Sequence, residues 1–262
     1  MIEWLDVPGQ TGLVANGVGP DGTIVGVVQE ASGRVRGLVL PPNRLRRRLV
    51  DAPAAEDTFL QGITAGGVII GDATRAGRSR AFLLLGGMFS ALEPPGSVDS
   101  WAGGVRANGD ACGSLIDEAG VRAGFRRLAG RWERVLPAGA DSAVIHGMGE
   151  GGEVVGACDL GGNAAGFMLR EAGTIEWLEY PDGVFVPRGC ARSGAWVVGE
   201  VVDAQGAPHA SECRNGVWRQ LELPDGPWRE SAAMSVQPGV GIVGWAMGDD
   251  GVKRGFLLRG GA

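Results

Sequence analysis

The chain has 262 residues, 44% of them apolar, and 48 glycines without a three-residue period, which excludes a collagen-like fibre and points to a globular chain with many tight turns. A formal net charge of −6 gives no broad basic footprint for a phosphate backbone, so nucleic acid is not expected as a partner. No stretch approaches the ~20 consecutive apolar residues of a membrane-spanning helix, and Glu3 and Asp6 stand where a secretory leader would carry a basic end, so a cytoplasmic protein off the membrane is expected.

Taken in chain order, the elements repeat. The chain opens with MIEWLDVPG, then a β-prone run closes on Gly26 (TIVG) and is followed by a polar turn and the strand RGLVL. After it comes the basic run Arg44-Leu45-Arg46-Arg47-Arg48, read as a short charged strand at a sheet edge in preference to a dock for an acidic partner. The next units run VIIG to Gly71, RAFLLL and MFSALEPPG; then DACG to Gly113, AGFRRL and RWERVLPAG. They continue with EVVG to Gly156, AGFMLR and TIEWLEYPDG; then WVVG to Gly199, HASECR and VWRQLELPDG. The sixth unit reaches Gly244 through GIVG and stops at RGFLLR.

The six glycines lie 45, 42, 43, 43 and 45 residues apart, and the gap counted across the two termini is 44. A period of this length marks propellers or solenoids. An open solenoid has no reason to keep its period across its own ends, whereas a ring does. Four short strands per unit around a ring predict an all-β, six-bladed β-propeller, one domain over residues 1–262. The last unit lacks a fourth strand, and residues 1–9 repeat the phrase of TIEWLEYPDG, so the N-terminal strand is expected to complete the last blade.

The third-strand motifs Arg80-Ala81-Phe82, Arg254-Gly255-Phe256, Ala165-Gly166-Phe167 and His209-Ala210-Ser211 resemble the H-A-F or R-A-F signature of the HAF-repeat family, β-propeller-like repeats described as extracellular. The resemblance covers the whole chain and implies a packing pattern. It carries no catalytic residues over to this sequence.

Comparing equivalent positions separates scaffold from site. The fourth-strand aromatics Trp4, Phe89, Trp132, Trp177 and Trp218 recur and are read as packing. A position near the end of the first strand is instead uneven, holding Asn16, Gln61, Gly103, His146, Arg188 and Ala233. Unevenness suits one asymmetric ligand on the axis rather than six equal sites. His146 is a candidate general base or acid, and Arg188 a candidate stabiliser of developing negative charge. Asn16 and Gln61 are candidate orienting groups. Channel water held by polar side chains is the competing reading of the same ring.

A second ring, directly after the glycines, holds Val27, Asp72, Ser114, Ala157, Glu200 and Trp245. Asp72, Glu200 and Trp245 are further candidates for substrate binding, Asp72 and Glu200 as acids or bases, against the commoner reading of two surface carboxylates at the start of a turn. Trp101, Phe185 and Trp228 fall outside the repeated aromatic position; they either form an apolar rim over the ring, on the face of the loops entering the first strands, or each covers the gap between two blades. Four cysteines without CxxC spacing and two histidines suggest neither a disulfide framework nor a metal site. No phosphate-binding or dinucleotide motif is present, so no cofactor is expected. These features favour a cofactor-independent cyclase, isomerase or lyase acting on a small, largely apolar molecule. A non-catalytic propeller that binds a protein or glycan is the alternative.

Overall fold

A computed structural model describes residues 1–181, 183–224 and 226–259. Among the described residues the strands form six four-stranded antiparallel sheets set around a ring, a six-bladed β-propeller. The first strands, which surround the axis, are Gly12–Val18, Asp57–Ile63, Ser97–Val105, Ser142–Met148, Val184–Ala191 and Glu230–Gln237. The sixth blade takes its fourth strand from the other end of the chain: Ile2–Leu5 pairs with Lys253–Leu258, with Trp4 opposite Phe256. The closure read from the repeated opening phrase is therefore observed.

One apolar cluster lies between each pair of neighbouring blades, so the core is a ring of six wedges rather than a single centre. Blades 6 and 1 share Leu5, Val7, Leu13, Val28, Val243 and Leu257. Blades 3 and 4 share Cys112, Val135, Ile145 and Phe167. Within blades, the fourth-strand aromatic meets the third-strand phenylalanine edge-on, as in Phe82–Phe89, Phe125–Trp132, Phe167–Trp177 and Phe256–Trp4. These aromatics pack as their recurrence indicated, but at the outer edge of each blade rather than in the buried core, and Trp177 is exposed.

The recurrent glycine of the second strand has a steric cause. A Cβ on Gly71 would lie 2.2 Å from the carbonyl oxygen of Phe59, and one on Gly156 2.0 Å from that of Val144. The approach is so close because the first strand bulges there. In every blade the first strand carries extra length against the second, between Ala15 and Gly17, Leu60 and Gly62, Ala102 and Val105, Ile145 and Gly147, Pro187 and Gly189, and Ala233 and Ser235. A bulge kinks its strand and re-aims one side chain.

Candidate functional site

The re-aimed residues are Asn16, Gln61, Gly103, His146, Arg188 and Met234, and all six line one cavity of about 460 Å³ at one end of the axis. The ring expected from the sequence is thus brought together, with Met234 in place of Ala233. Ala233 pairs with Gly244 and is buried between blades 5 and 6; the extra residue is the next one. The sequence holds the signal that locates it. Four of the other five ring residues precede their second-strand glycine by ten positions, as Met234 does, whereas Ala233 precedes Gly244 by eleven. In five blades the ring residue is followed by glycine, and the reason is contact with the next inner strand: a Cβ on Gly147 would stand 2.5 Å from the carbonyl oxygen of Arg188.

Around the ring, His146 and Arg188 are neighbours and Met234 follows. Arg188 Nη1 lies 3.1 Å from His146 Nδ1 and 3.2 Å from Nε2. Arg188 Nε donates to both carboxylate oxygens of Glu200, at 2.9 and 3.0 Å, and Nη2 donates to Oε1. Glu200 is itself buried, so a carboxylate locks the guanidinium from behind and leaves Nη1 turned to the imidazole. Burial first, and the Arg188 charge second, hold the His146 pKa well below its ordinary 6.5, so the ring is neutral at neutral pH.

Asp72 stands behind Gln61 as Glu200 stands behind Arg188. Gln61 Nε2 lies 3.4 Å from Asp72 Oδ1, which also accepts from the Ala102 backbone N–H at 3.3 Å. Among the described residues no cation offsets its burial there, and desolvation lifts its pKa from 3.8 to about 7. Asn16 donates from Nδ2 to the Leu60 carbonyl of the next blade at 2.9 Å, leaving its amide oxygen for the cavity. Met234 supplies an apolar wall, and Gly103 stands across the axis from it with no side chain to fill the space.

The aromatic rim is not at this site. The cavity opens among the turns that join first to second strands, through Pro20, Ala65, Asn108, Glu150 and Gln237, whereas such a rim would sit at the other loops. Trp101, Phe185, Trp228 and Trp245 do not line it. Phe185 is buried in the wedge between blades 4 and 5 and meets Trp218 at 4.7 Å. It fills the place left by Ser211, which stands where four of the other third strands carry phenylalanine and blade 1 carries Leu38. Trp101 lies under the Arg122 guanidinium, 5.0 Å from the ring centroid. Trp228 stacks at 4.6 Å on Trp4 and donates from Nε1 to the Pro224 carbonyl. Trp245 carries the Lys253 ammonium 3.9 Å above its ring. Each is held by a partner outside the cavity. Asp72 and Glu200 do not line the cavity either; they set the side chains that do. Cys190 and Arg106 do line it, and no repeat position singled them out.

No protein-family model matches the chain, and no curated protein does, so the HAF-repeat resemblance rests on the motifs quoted above. Solved structures match at the level of fold. TolB from Acinetobacter baumannii is 12% identical with a TM-score of 0.63 over 91% of this chain; the chain spans 64% of that protein. A streptogramin B lyase is 14% identical with a TM-score of 0.55, over 99% of this chain and 98% of that one. Virginiamycin B lyase from Staphylococcus aureus is 15% identical with a TM-score of 0.51, over 100% of this chain and 89% of that one. At these identities the likeness places the chain among β-propellers and carries no residue role.

Proposed function

We propose that the axial cavity binds a small, largely apolar carbonyl compound and that His146 moves its proton, in a cofactor-independent reaction of lyase, isomerase or cyclase type. The observation that carries the reading is the Glu200–Arg188–His146 chain facing a ligand-sized cavity beside an apolar wall. A neutral imidazole is a base at neutral pH, and an N–H of Arg188 beside it is placed to meet an oxygen that becomes negative. In the first step the C–H bond next to the carbonyl breaks, its proton passes to His146, and its electron pair enters the enolate, whose oxygen accepts from Arg188. The imidazolium then returns the proton, either to another carbon or to a leaving group as the enolate collapses. The presence of lyases among proteins of this fold is in keeping with such chemistry, although the residues carry the reading.

The test needs no named substrate. A panel of cyclic ketones and lactones is incubated with the protein in deuterium oxide, and exchange at the acidic carbon is followed by NMR. We expect exchange in at least one compound, falling about 10²–10⁴-fold in His146→Ala. Its acid limb should lie below pH 6.5, because the folded-state pKa of His146 is lowered. A folded His146→Ala chain that exchanges at the wild-type rate removes the base. One observation favours a second reading: Arg188 is already paired with Glu200 and Asn16 already donates to Leu60, as in a site that only binds. That reading requires a compound that raises the melting temperature saturably with no exchange above background.

A further inference from the structure

The third-to-fourth connection of blade 1 is longer than that of blade 4, at 170–174, and much longer than the rest. It runs over residues 41–47, whereas blades 2, 3 and 5 turn in two residues, at 86–87, 129–130 and 215–216. This insertion carries the basic run up to Arg47, Arg48 opens the fourth strand opposite Val39, and among the described residues Arg44 alone of the four arginines has an internal partner for its side chain. Arg44 sits at φ 56° and donates to Glu3 Oε1 at 3.0 Å, to the Gly22 carbonyl at 3.1 Å and to the Pro41 carbonyl at 2.9 Å. The loop is thereby pinned to the turn after the first strand of blade 1, whose Pro20 lines the axial cavity. Beyond the pin, Arg46, Arg47 and Arg48 are exposed, and among the described residues no carboxylate pairs with any of them. Leu45 projects between Arg44 and Arg46, 83% exposed.

We propose that this loop is a docking element for an acidic protein segment, a short stretch of carboxylates with one aliphatic side chain, which it holds on the cavity face. Exposed Leu45 is the apolar anchor and the three guanidiniums are the carboxylate forks, a geometry that arginine meets and lysine does not. Arg46 to Arg48 span at most about 7 Å of extended chain, which matches a few residues of a peptide and is too short a track for a nucleic-acid backbone. An anionic bilayer would meet the remainder of a chain whose net charge is −6. The pinning of Arg44 removes much of the ordering cost that a free loop would bear on binding. The inference is independent of the chemistry assigned to His146.

The experiment is fluorescence anisotropy with a labelled peptide of four glutamates around one leucine, below about 0.1 M salt, where the Debye length exceeds about 10 Å. We expect saturable binding that weakens as salt rises, and roughly a tenfold or greater loss in the Arg46→Gln, Arg47→Gln, Arg48→Gln triple variant. Among the described residues their side chains have no internal partner, and the backbone pairing of Arg48 with Val39 is kept by glutamine, so an unchanged melting temperature verifies the variant's fold. Leu45→Ala should weaken binding by a smaller factor, and His146→Ala should bind as wild type does, which keeps this result separate from that of the cavity. Absence of saturable binding, equal affinity in the triple variant, or sedimentation with phosphatidylserine vesicles by a chain that ignores the peptide would each overturn the proposal.

Discussion

Asp72 and His146 lie near the same axis, and burial pushes their pKa values in opposite directions because it disfavours charge on both. For Asp72 the folded pKa is about 7 against 3.8, so between those values the folded chain holds a proton that the unfolded chain has released. Stability then falls as pH rises through that window. For His146 the folded pKa lies below 6.5, so the unfolded chain binds the proton first and stability falls as pH drops below 6.5. Asp72→Asn keeps an acceptor for Gln61 and the Ala102 N–H but has no charge to bury. It should therefore be more stable than wild type at pH 8, by on the order of 1–3 kcal/mol, and close to it at pH 4. Urea unfolding at both values measures this, and parallel pH slopes in the two proteins would show that Asp72 is solvated after all.

At the scale of one strand, the site is a set of bulges. The bulge turns Asn16, Gln61, His146, Arg188 and Met234 toward the axis, and the same distortion brings a carbonyl against the next strand so that only glycine fits opposite. Site and scaffold signals are thus two consequences of one backbone feature, which is why the uneven ring was legible from repeat alignment alone. For Trp101, Phe185 and Trp228 the repeat left two readings open, rim or gap filler, and did not choose between them. Phe185 breaks the repeat because it compensates for another break, Ser211 in the third strand, and a compensating pair looks like two irregularities until the packing is seen. Phe185 is 1% exposed, and a Cβ on Gly199 would lie 3.0 Å from its ring, as one on Gly113 would from that of Phe125 at 2.9 Å. Phe185→Ala should accordingly cost about 3–5 kcal/mol, the price of a core cavity. A surface rim residue would cost within about 0.5 kcal/mol. Chemical denaturation distinguishes the two. Position along a strand was readable, but the side from which the cavity opens was not, because strand periodicity is the same from either end of the propeller.

For the whole molecule, the fold was legible because its strongest signal is global: a period that survives the passage from one terminus to the other is a property of a ring. The closure has a local energetic cost if removed. Leu5 and Val7 are buried in the wedge between blades 6 and 1, and Trp4 packs on Phe256 and Trp228. At about 1.5–3 kcal/mol per fully buried large side chain, these residues supply on the order of 5 kcal/mol, a large part of the ~5–15 kcal/mol that holds a typical domain. Backbone pairing extends to the end, where Arg259 N–H donates to the Met1 carbonyl at 2.9 Å, and Glu3 binds both Arg44 and Arg259. Deleting residues 1–9 leaves Lys253–Leu258 as an unprotected edge beside an opened wedge. The truncated chain should melt at a lower temperature and aggregate in proportion to its concentration. Because the missing piece is a separate strand held without covalent bonds to blade 6, a synthetic peptide of residues 1–9 added in excess should restore both the melting temperature and the monomer, by mass action. A peptide with Trp4 and Leu5 replaced by alanine should not. Light scattering and thermal denaturation across a peptide titration read the outcome, and a truncated chain as stable as the full one would mean that the six wedges close the ring without the strand.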